Sequence, residues 1–329
     1  TQYQKFIKAY TGDPAQFVLD CIRFPEGARA DPYQLNILSD LAEHKRVCVR
    51  SPHGAGKDLD ISTVLPTPDG WTTMGEVKAG DIVLNEEGKP VEVIYAEEPK
   101  WRDAYEASFA DGTSIIAGAG HLWTAIDVYN RPKGFRIRDW REHWDCAKTL
   151  ETHVMAKKVK TRGGQLRWRV PAAKPLDLPE ADLPIDPYLL GAWLGDGSCS
   201  GGRITCSEED INDLEEMISA SGYETKTHRY KGKGCVLRIY GLTAMLRELG
   251  VLDNKHIPMA YLRASEKQRR ELLAGLMDTD GYKTRRNTDG ICLCNERLAK
   301  DVLELIRTLG LVVRIAVSDA KIYGRVVGK

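Results

Sequence analysis

Two stretches of this chain repeat one design, and that repeat constrains the fold more than any other feature. Tyr188-Leu189-Leu190-Gly191-Ala192-Trp193-Leu194-Gly195-Asp196-Gly197 reads as a short apolar helix ending in an acid and a glycine, and Glu271-Leu272-Leu273-Ala274-Gly275-Leu276-Met277-Asp278-Thr279-Asp280-Gly281 repeats it. Each copy leads into an apolar strand, Arg203–Cys206 and then Ile291–Cys294, and into a helix, Ile211–Ala220 and then Arg297–Leu309. An internal duplication of this kind predicts a pseudo-twofold domain rather than a solenoid. Gly191, Ala192, Ala274 and Gly275 let two helix backbones approach more closely than the usual ~8–10 Å. Such packing brings Asp196 and Asp280 side by side at the helix ends. Paired carboxylates repel unless a divalent cation holds them. Oxygen ligands suit Mg²⁺, which can activate water and stabilise the leaving oxygen of a phosphodiester. The strands beside them would form a saddle that fits duplex DNA.

Upstream, a strand-like Arg46-Val47-Cys48-Val49-Arg50 runs into Ser51-Pro52-His53-Gly54-Ala55-Gly56-Lys57, the opening of a phosphate-binding loop. Backbone N–H groups of such a loop point at phosphate oxygens and the lysine reaches the outer phosphates. A working loop continues with Ser or Thr to hold magnesium. Here position 58 is Asp, and at ~4 Å and an effective dielectric of ~20 each unit of like charge costs ~4 kcal/mol. This loop cannot hold a nucleotide as it stands.

The composition changes at the same residue. From Asp58 onward, short strand-like segments alternate with turns such as Asp69-Gly70, Gly88-Lys89-Pro90 and Asp111-Gly112, the pattern of a small all-β module. The organisation expected is 1–57, 58–182 and 183–329. Basic and acidic residues number 8 and 6, 17 and 21, and 22 and 20 in these three parts, so no part is basic enough to establish nucleic-acid binding by charge. Two local clusters could still face phosphates: Lys157, Lys158, Lys160, Arg162, Arg167 and Arg169, and Arg269, Arg270, Lys283, Arg285 and Arg286. No apolar run approaches the ~18–20 residues of a membrane helix. The eight cysteines form neither a C-x-x-C pair nor a disulfide framework, which suits a reducing cytoplasm. Cys292 and Cys294 read as packed core on a strand.

The repeated helices resemble the LAGLIDADG homing endonucleases. Leu273–Gly281 matches their signature almost letter for letter, and Leu189–Gly197 is a looser copy. The resemblance puts the family's metal-binding acids on Asp196 and Asp280. Asn254-Lys255-His256-Ile257-Pro258 looks like its Lys-x-Ile-Pro block, which places Lys255 near the active centre, where a lysine could polarise the water or the scissile phosphate.

The β module resembles the N-terminal part of an intein, the Hint fold. Thr67-Pro68-Asp69-Gly70-Trp71 looks like the first intein block, and Asp111-Gly112-Thr113 through Gly120-His121-Leu122-Trp123-Thr124 like the second. The resemblance makes Lys57–Asp58 the upstream splice junction and His121 the group that protonates the leaving nitrogen, which neutral-pH imidazole chemistry suits. Asp58 offers no nucleophile for an acyl shift, and Gly118 stands where the block's usual Thr would be. Trp123 matches the class 3 inteins, which use that Trp, a downstream Thr and a cysteine near the intein's C-terminus. Blocks carrying that cysteine and the terminal Asn would lie beyond Lys329. The chain, starting at Thr1 and stopping at Val326-Val327-Gly328-Lys329, reads as a C-terminally truncated fragment.

Residues 1–57 resemble the start of a phage terminase large subunit, on Tyr33-Gln34, Ile37-Leu38 and Arg50–Lys57. That implies adenine contact by Gln34 and phosphate contact by Gly54, Gly56 and Lys57 once splicing restores the loop. The expected fold is therefore multidomain α+β: a partial P-loop NTPase segment, an all-β Hint-type splicing domain, and a pseudo-twofold α/β endonuclease. The expected partners are double-stranded DNA, with ATP only after splicing. The chain is expected to be monomeric in a phage-infected or prophage-bearing bacterial cytoplasm. The rival readings are a terminase ATPase fragment as such, and a LAGLIDADG-type protein that binds nucleic acid without cutting.

Overall fold

The computed structural model describes residues 14–21, 59–96, 99–129, 147–230, 234–284, 288–322 and 325–328. Helix α1 (Pro14–Cys21) is the one described element before residue 59. The predicted strand at 46–50 and the glycine-rich loop lie outside the described residues.

The middle part is built from short antiparallel pairs, as its turn-rich sequence predicts. Strands β1 (Val64–Thr67) and β2 (Gly70–Thr73) form a hairpin across Pro68-Asp69, and β3 (Ile82–Leu84) and β4 (Pro90–Glu92) form another. In the second turn Gly88 has φ +79, and a Cβ there would lie 2.0 Å from the Pro175 carbonyl oxygen, so that close approach requires glycine. Strands β5 (Ala104–Ser108) and β6 (Ser114–Gly118) pair across Asp111-Gly112. Strand β7 (Leu122–Asp127) lies between β8 (Lys148–Glu151) and β9 (Trp168–Arg169), with the five-residue helix α2 (Thr152–Ala156) following β8. Asp127, 7% exposed, takes a two-pronged ion pair from Arg167 (3.0 and 2.6 Å), which stacks on Trp168. Arg167 is thus tied to Asp127 and Trp168 rather than free to join a phosphate-facing cluster.

The C-terminal part holds the main core. Helix α3 (Pro187–Asp196) is buried along eight consecutive residues, Pro187 through Leu194. Asp186 caps its start by accepting from the Leu189 N–H, and Pro187 occupies the first turn. Then come β10 (Arg203–Cys206), α4 (Ile211–Ala220), β11 (Thr225–Tyr230), β12 (Gly234–Ile239), α5 (Leu242–Glu248) and α6 (Met259–Leu262). The three strands form one sheet in the order β10-β12-β11. Helix α7 (Glu266–Asp280) begins five residues before the predicted motif, because Ser265 and Gln268 form a reciprocal capping box. It leads into β13 (Gly281–Lys283), β14 (Asp289–Ile291) and α8 (Glu296–Thr308), and a last hairpin joins β15 (Ala320–Ile322) and β16 (Arg325–Gly328).

Helix, strand, helix recurs in both copies, but their sheets differ. The first copy's strand belongs to a three-stranded sheet, while β13 and β14 pair over three residues. The strand expected at Ile291–Cys294 ends at Ile291. The reason is that β13 starts only where α7 stops, so Gly281 pairs with Ile291 and nothing is left to pair with residue 292. Cys292 and Cys294 are exposed, which corrects their reading as packed core. Arg269 is also corrected. It is wholly buried, donating to the Ala264, Thr308 and Leu176 carbonyl oxygens, and so pins 171–182 to α7 and α8 rather than reaching phosphate. Among the described residues, no helix is long and apolar enough to cross a membrane.

Candidate active site

Helices α3 and α7 meet backbone to backbone. A Cβ at Gly191 would lie 2.1 Å from the Leu272 carbonyl oxygen, and one at Gly275 would lie 2.1 Å from that of Tyr188. No side chain other than hydrogen fits either place. Leu189, Leu190, Leu194, Leu272 and Leu276 surround the crossing, all essentially without solvent contact. Burying each contributes about 1.5–3 kcal/mol. The helices also end alike: Gly197 N–H donates to the Trp193 carbonyl and Gly281 N–H to that of Met277, both glycines leaving in extended conformation. Gly191 and Gly275, with Ala192 beside the latter, therefore do what the sequence predicts of small residues, whereas Ala274 is exposed.

That crossing sets Asp196 beside Asp280. Asp196 is exposed and Asp280 half-buried, so the pair lies at the surface, open to a ligand. Partial desolvation raises the affinity of both carboxyls for protons, and at Asp196 the Asp280 charge adds to the rise. Lys255 opposes the effect at both. Its own ammonium is half-buried and its pKa is lowered, desolvation outweighing the attraction of nearby anionic groups. The Lys255 amine donates to the Leu194 and Gly195 carbonyl oxygens (2.9 and 2.8 Å), the unsatisfied acceptors at the end of α3, and sits 5.2 Å from the Trp193 ring centre. Lys255 therefore caps one helix and places a cation next to both aspartates. On the other side, Thr279 packs against Gly195, where a Cβ would meet its hydroxyl at 2.1 Å.

The donor set bears on the metal. Among the described residues no three His, Cys, Asp or Glu side chains cluster as ligands. Two carboxylates are too few for a closed zinc or calcium cage. They suit magnesium, which keeps waters and takes one or two carboxylates together with substrate phosphates.

Sequence reasoning missed a cross-helix contact. Tyr188 O–H donates to Asp278 Oδ2 at 2.9 Å, joining the two signature helices by a polar bond, and the tyrosine's pKa is strongly raised by desolvation and then by that carboxylate. The signal was present in the letters. Tyr188 stands where the second copy has Leu272, and Asp278 where the first has Leu194.

A second constellation lies in the β module. His121 is 7% exposed, and its ring meets Trp123 edge-on at 4.9 Å. Trp123 Nε1 donates to Thr152 Oγ1 at 2.9 Å, and the Thr152 hydroxyl donates to the His121 carbonyl oxygen at 3.2 Å. Thr152 thus links Trp123 to the turn that carries His121, a contact that sequence reasoning did not identify. Its N–H donates to the same carbonyl (2.9 Å), fixing the turn that carries the imidazole. Leu59 bridges Ala117, and Asp60 N–H donates to the Ile116 carbonyl, so the start of the module joins β6 a few residues before His121. Lys57, Asp58, Gln34, Gly54 and Gly56 lie outside the described residues.

A family model described as homing endonuclease matches residues 256–329. The chain is 39% identical over 292 residues to the replicative DNA helicase DnaB of Mycobacterium intracellulare, covering 85% of this chain and 46% of that protein. It is 41% identical over 88 residues to the replicative DNA helicase DnaB of Mycobacterium leprae (strain TN), covering 26% of this chain and 15% of that one. The chain thus spans less than half the length of either. Among solved structures it is similar to the MchDnaB-1 intein, at 48% identity over 20% of this chain and 52% of that chain, with a TM-score of 0.20. It is also similar to the Msm DnaB1 intein splicing domain bound with zinc, at 44% identity over 20% and 54%, again with a TM-score of 0.20. Likenesses at that score say nothing of how the present chain is arranged. Both curated relatives are named as replicative DNA helicases, so these likenesses lend no support to a terminase host or to the phage setting tied to it.

Proposed function

We propose that this chain is an intein interrupting a P-loop ATPase and carrying a LAGLIDADG-type homing endonuclease that cuts double-stranded DNA with Mg²⁺. The observation that carries the nuclease reading is the pairing of Asp196 with Asp280 at the ends of two helices packed glycine to backbone. The match of residues 256–329 to homing endonucleases supports it. Asp196 and Asp280 would hold the cation, which supplies Lewis-acid stabilisation of the phosphodiester oxygens. Lys255, locked on the α3 carbonyls, adds a fixed positive charge next to the scissile phosphate and lowers the repulsion between that phosphate and the two acids.

The splicing reading rests on the sequence blocks and on the Trp123–Thr152–His121 triangle. In it, His121 gives a proton to the nitrogen leaving at Lys57–Asp58, while Trp123 and Thr152 hold the histidine's turn in place. Asp58 cannot start that step, so the nucleophile comes from a later block. The host is a P-loop protein whose loop cannot bind ATP until splicing removes Asp58. The names of the curated relatives favour a replicative helicase for it. The test of the nuclease is incubation of the purified chain with a randomised duplex library and Mg²⁺. Sequence-specific ends that vanish with EDTA are expected, and a library left whole under all conditions would sink the proposal.

A further inference from the structure

Neither candidate site uses a second group of buried charges, which lies where the β module meets the C-terminal part. Arg263 follows α6 and is 8% exposed. Its Nε donates to the Thr67 carbonyl oxygen (3.0 Å), its Nη2 to that of Gly70 (2.7 Å) and its Nη1 to Glu304 Oε1 on α8 (2.8 Å). The Trp71 indole N–H donates to the same Glu304 oxygen (2.9 Å), and its ring centre lies 5.3 Å from the guanidinium. Burying a guanidinium is unfavourable unless its donors are met. Here each of its three nitrogens finds an oxygen, and two of those oxygens belong to the β1–β2 turn. One helical turn along α8 from Glu304, Arg307 approaches Asp111 in the β5–β6 turn at 3.9 Å. The apolar side of α8, Leu298, Val302 and Leu305, stays in the nuclease core.

These contacts land on the two blocks that frame the splice junction. Strand β1 starts at Val64, and Leu59 of the same segment bridges β6, whose turn carries Asp111. We propose that Arg263 and Glu304, though they lie in the nuclease half, are positioning residues for the first splicing step. They hold the β1–β2 hairpin against α8, while Arg307 of the same helix approaches the β5–β6 turn, so that one helix sets the hairpin relative to the strand pair that leads to His121. This rests on the splicing reading above. It also gives the endonuclease segment a role that its own chemistry does not require.

The test uses a precursor that carries the downstream splicing blocks. Arg263→Met keeps the apolar stem and loses every donor, so splicing should slow roughly tenfold, the equivalent of one charge-assisted hydrogen bond. DNA cutting by the same preparation should not change, and Arg263→Lys should recover part of the rate. A milder variant, Trp71→Phe, keeps a ring against the guanidinium and removes only the bond to Glu304. It should slow splicing by a smaller factor even if Arg263→Met folds poorly. In the 329-residue chain, amide exchange over residues 64–73 should speed up in Arg263→Met. Wild-type splicing rates in both Arg263→Met and Trp71→Phe would overturn the inference alone. A wild-type precursor that never splices would overturn the splicing reading, and this inference with it.

Discussion

At the scale of single residues, carboxylates at two places in the molecule are held in opposite states. Hydrogen bonds from Arg167 hold Asp127 below the usual carboxylate range, whereas desolvation and Asp280 push Asp196 above it. The signs of linkage follow. Asp127 contributes stability above its unfolded pKa and loses it as pH falls through the lower folded value. Asp196, raised in the folded state, favours folding only at low pH, and that contribution disappears as pH rises through its folded value. Asp127→Asn should therefore destabilise the chain at neutral pH, with the loss vanishing as pH falls through the lowered folded value. Asp196→Asn, without added Mg²⁺, should instead raise the melting temperature at neutral pH, with the gain shrinking as pH falls toward 4. Thermal melts of both variants across that range check the pair, and a destabilised Asp196→Asn at neutral pH contradicts the crowding of the two acids. In the splicing constellation, Thr152→Val keeps the shape and removes both hydroxyl bonds. In a precursor with its downstream blocks it should slow junction cleavage about tenfold, at the cost of one or two hydrogen bonds, and an unchanged rate would remove Thr152 from the site.

Elements show why the duplicated helices were legible and other parts were not. An apolar run closed by Asp-Gly identifies α3 and α7 because the crossing needs leucines around it and glycine at the contact. The β-module's turns were readable for the same kind of reason, since Asp-Gly and Gly-Lys-Pro restrict the backbone locally. Long-range partners leave no such local trace. Ile291-Cys292-Leu293-Cys294 alternates as a strand should, yet its ladder stops after Ile291 because the partner strand begins only at Gly281. Arg269 and Arg167 read as surface charges in a run of basic residues, and each instead serves an acceptor set far away in sequence. Thr152 could be placed in the site only by pairing β7 with β8. The helix crossing also yields a prediction in which two effects compete. Gly191→Ala gains about 1 kcal/mol of helix propensity, but its methyl meets the Leu272 carbonyl, and overpacking against backbone sits at the upper end of a cost of about 1–3 kcal/mol. The clash should win, lowering the midpoint of chemical unfolding and abolishing DNA cutting. A variant as stable and active as the wild type would contradict the close crossing.

For the whole molecule, the balance of charge matters less than its placement. The nuclease half carries 22 basic and 20 acidic residues, so DNA affinity must come from local sets of cations rather than from net charge. Binding should weaken steeply with salt, with a log–log slope of about −0.9 per phosphate neutralised. On the proposed reading most phosphate contacts come from lysines and arginines away from the two aspartates, so binding and cutting should be separable. One comparison tests this most directly: the wild type, Asp196→Asn and Asp280→Asn measured on one cleavable duplex with Mg²⁺, at protein concentrations giving equal occupancy. Both variants should bind with wild-type affinity and salt dependence and yet fail to cut, while Lys255→Ala cuts more slowly than wild type but faster than either. Wild-type cutting by either aspartate variant would contradict the shared centre at the helix ends, and with it the nuclease reading of the chain.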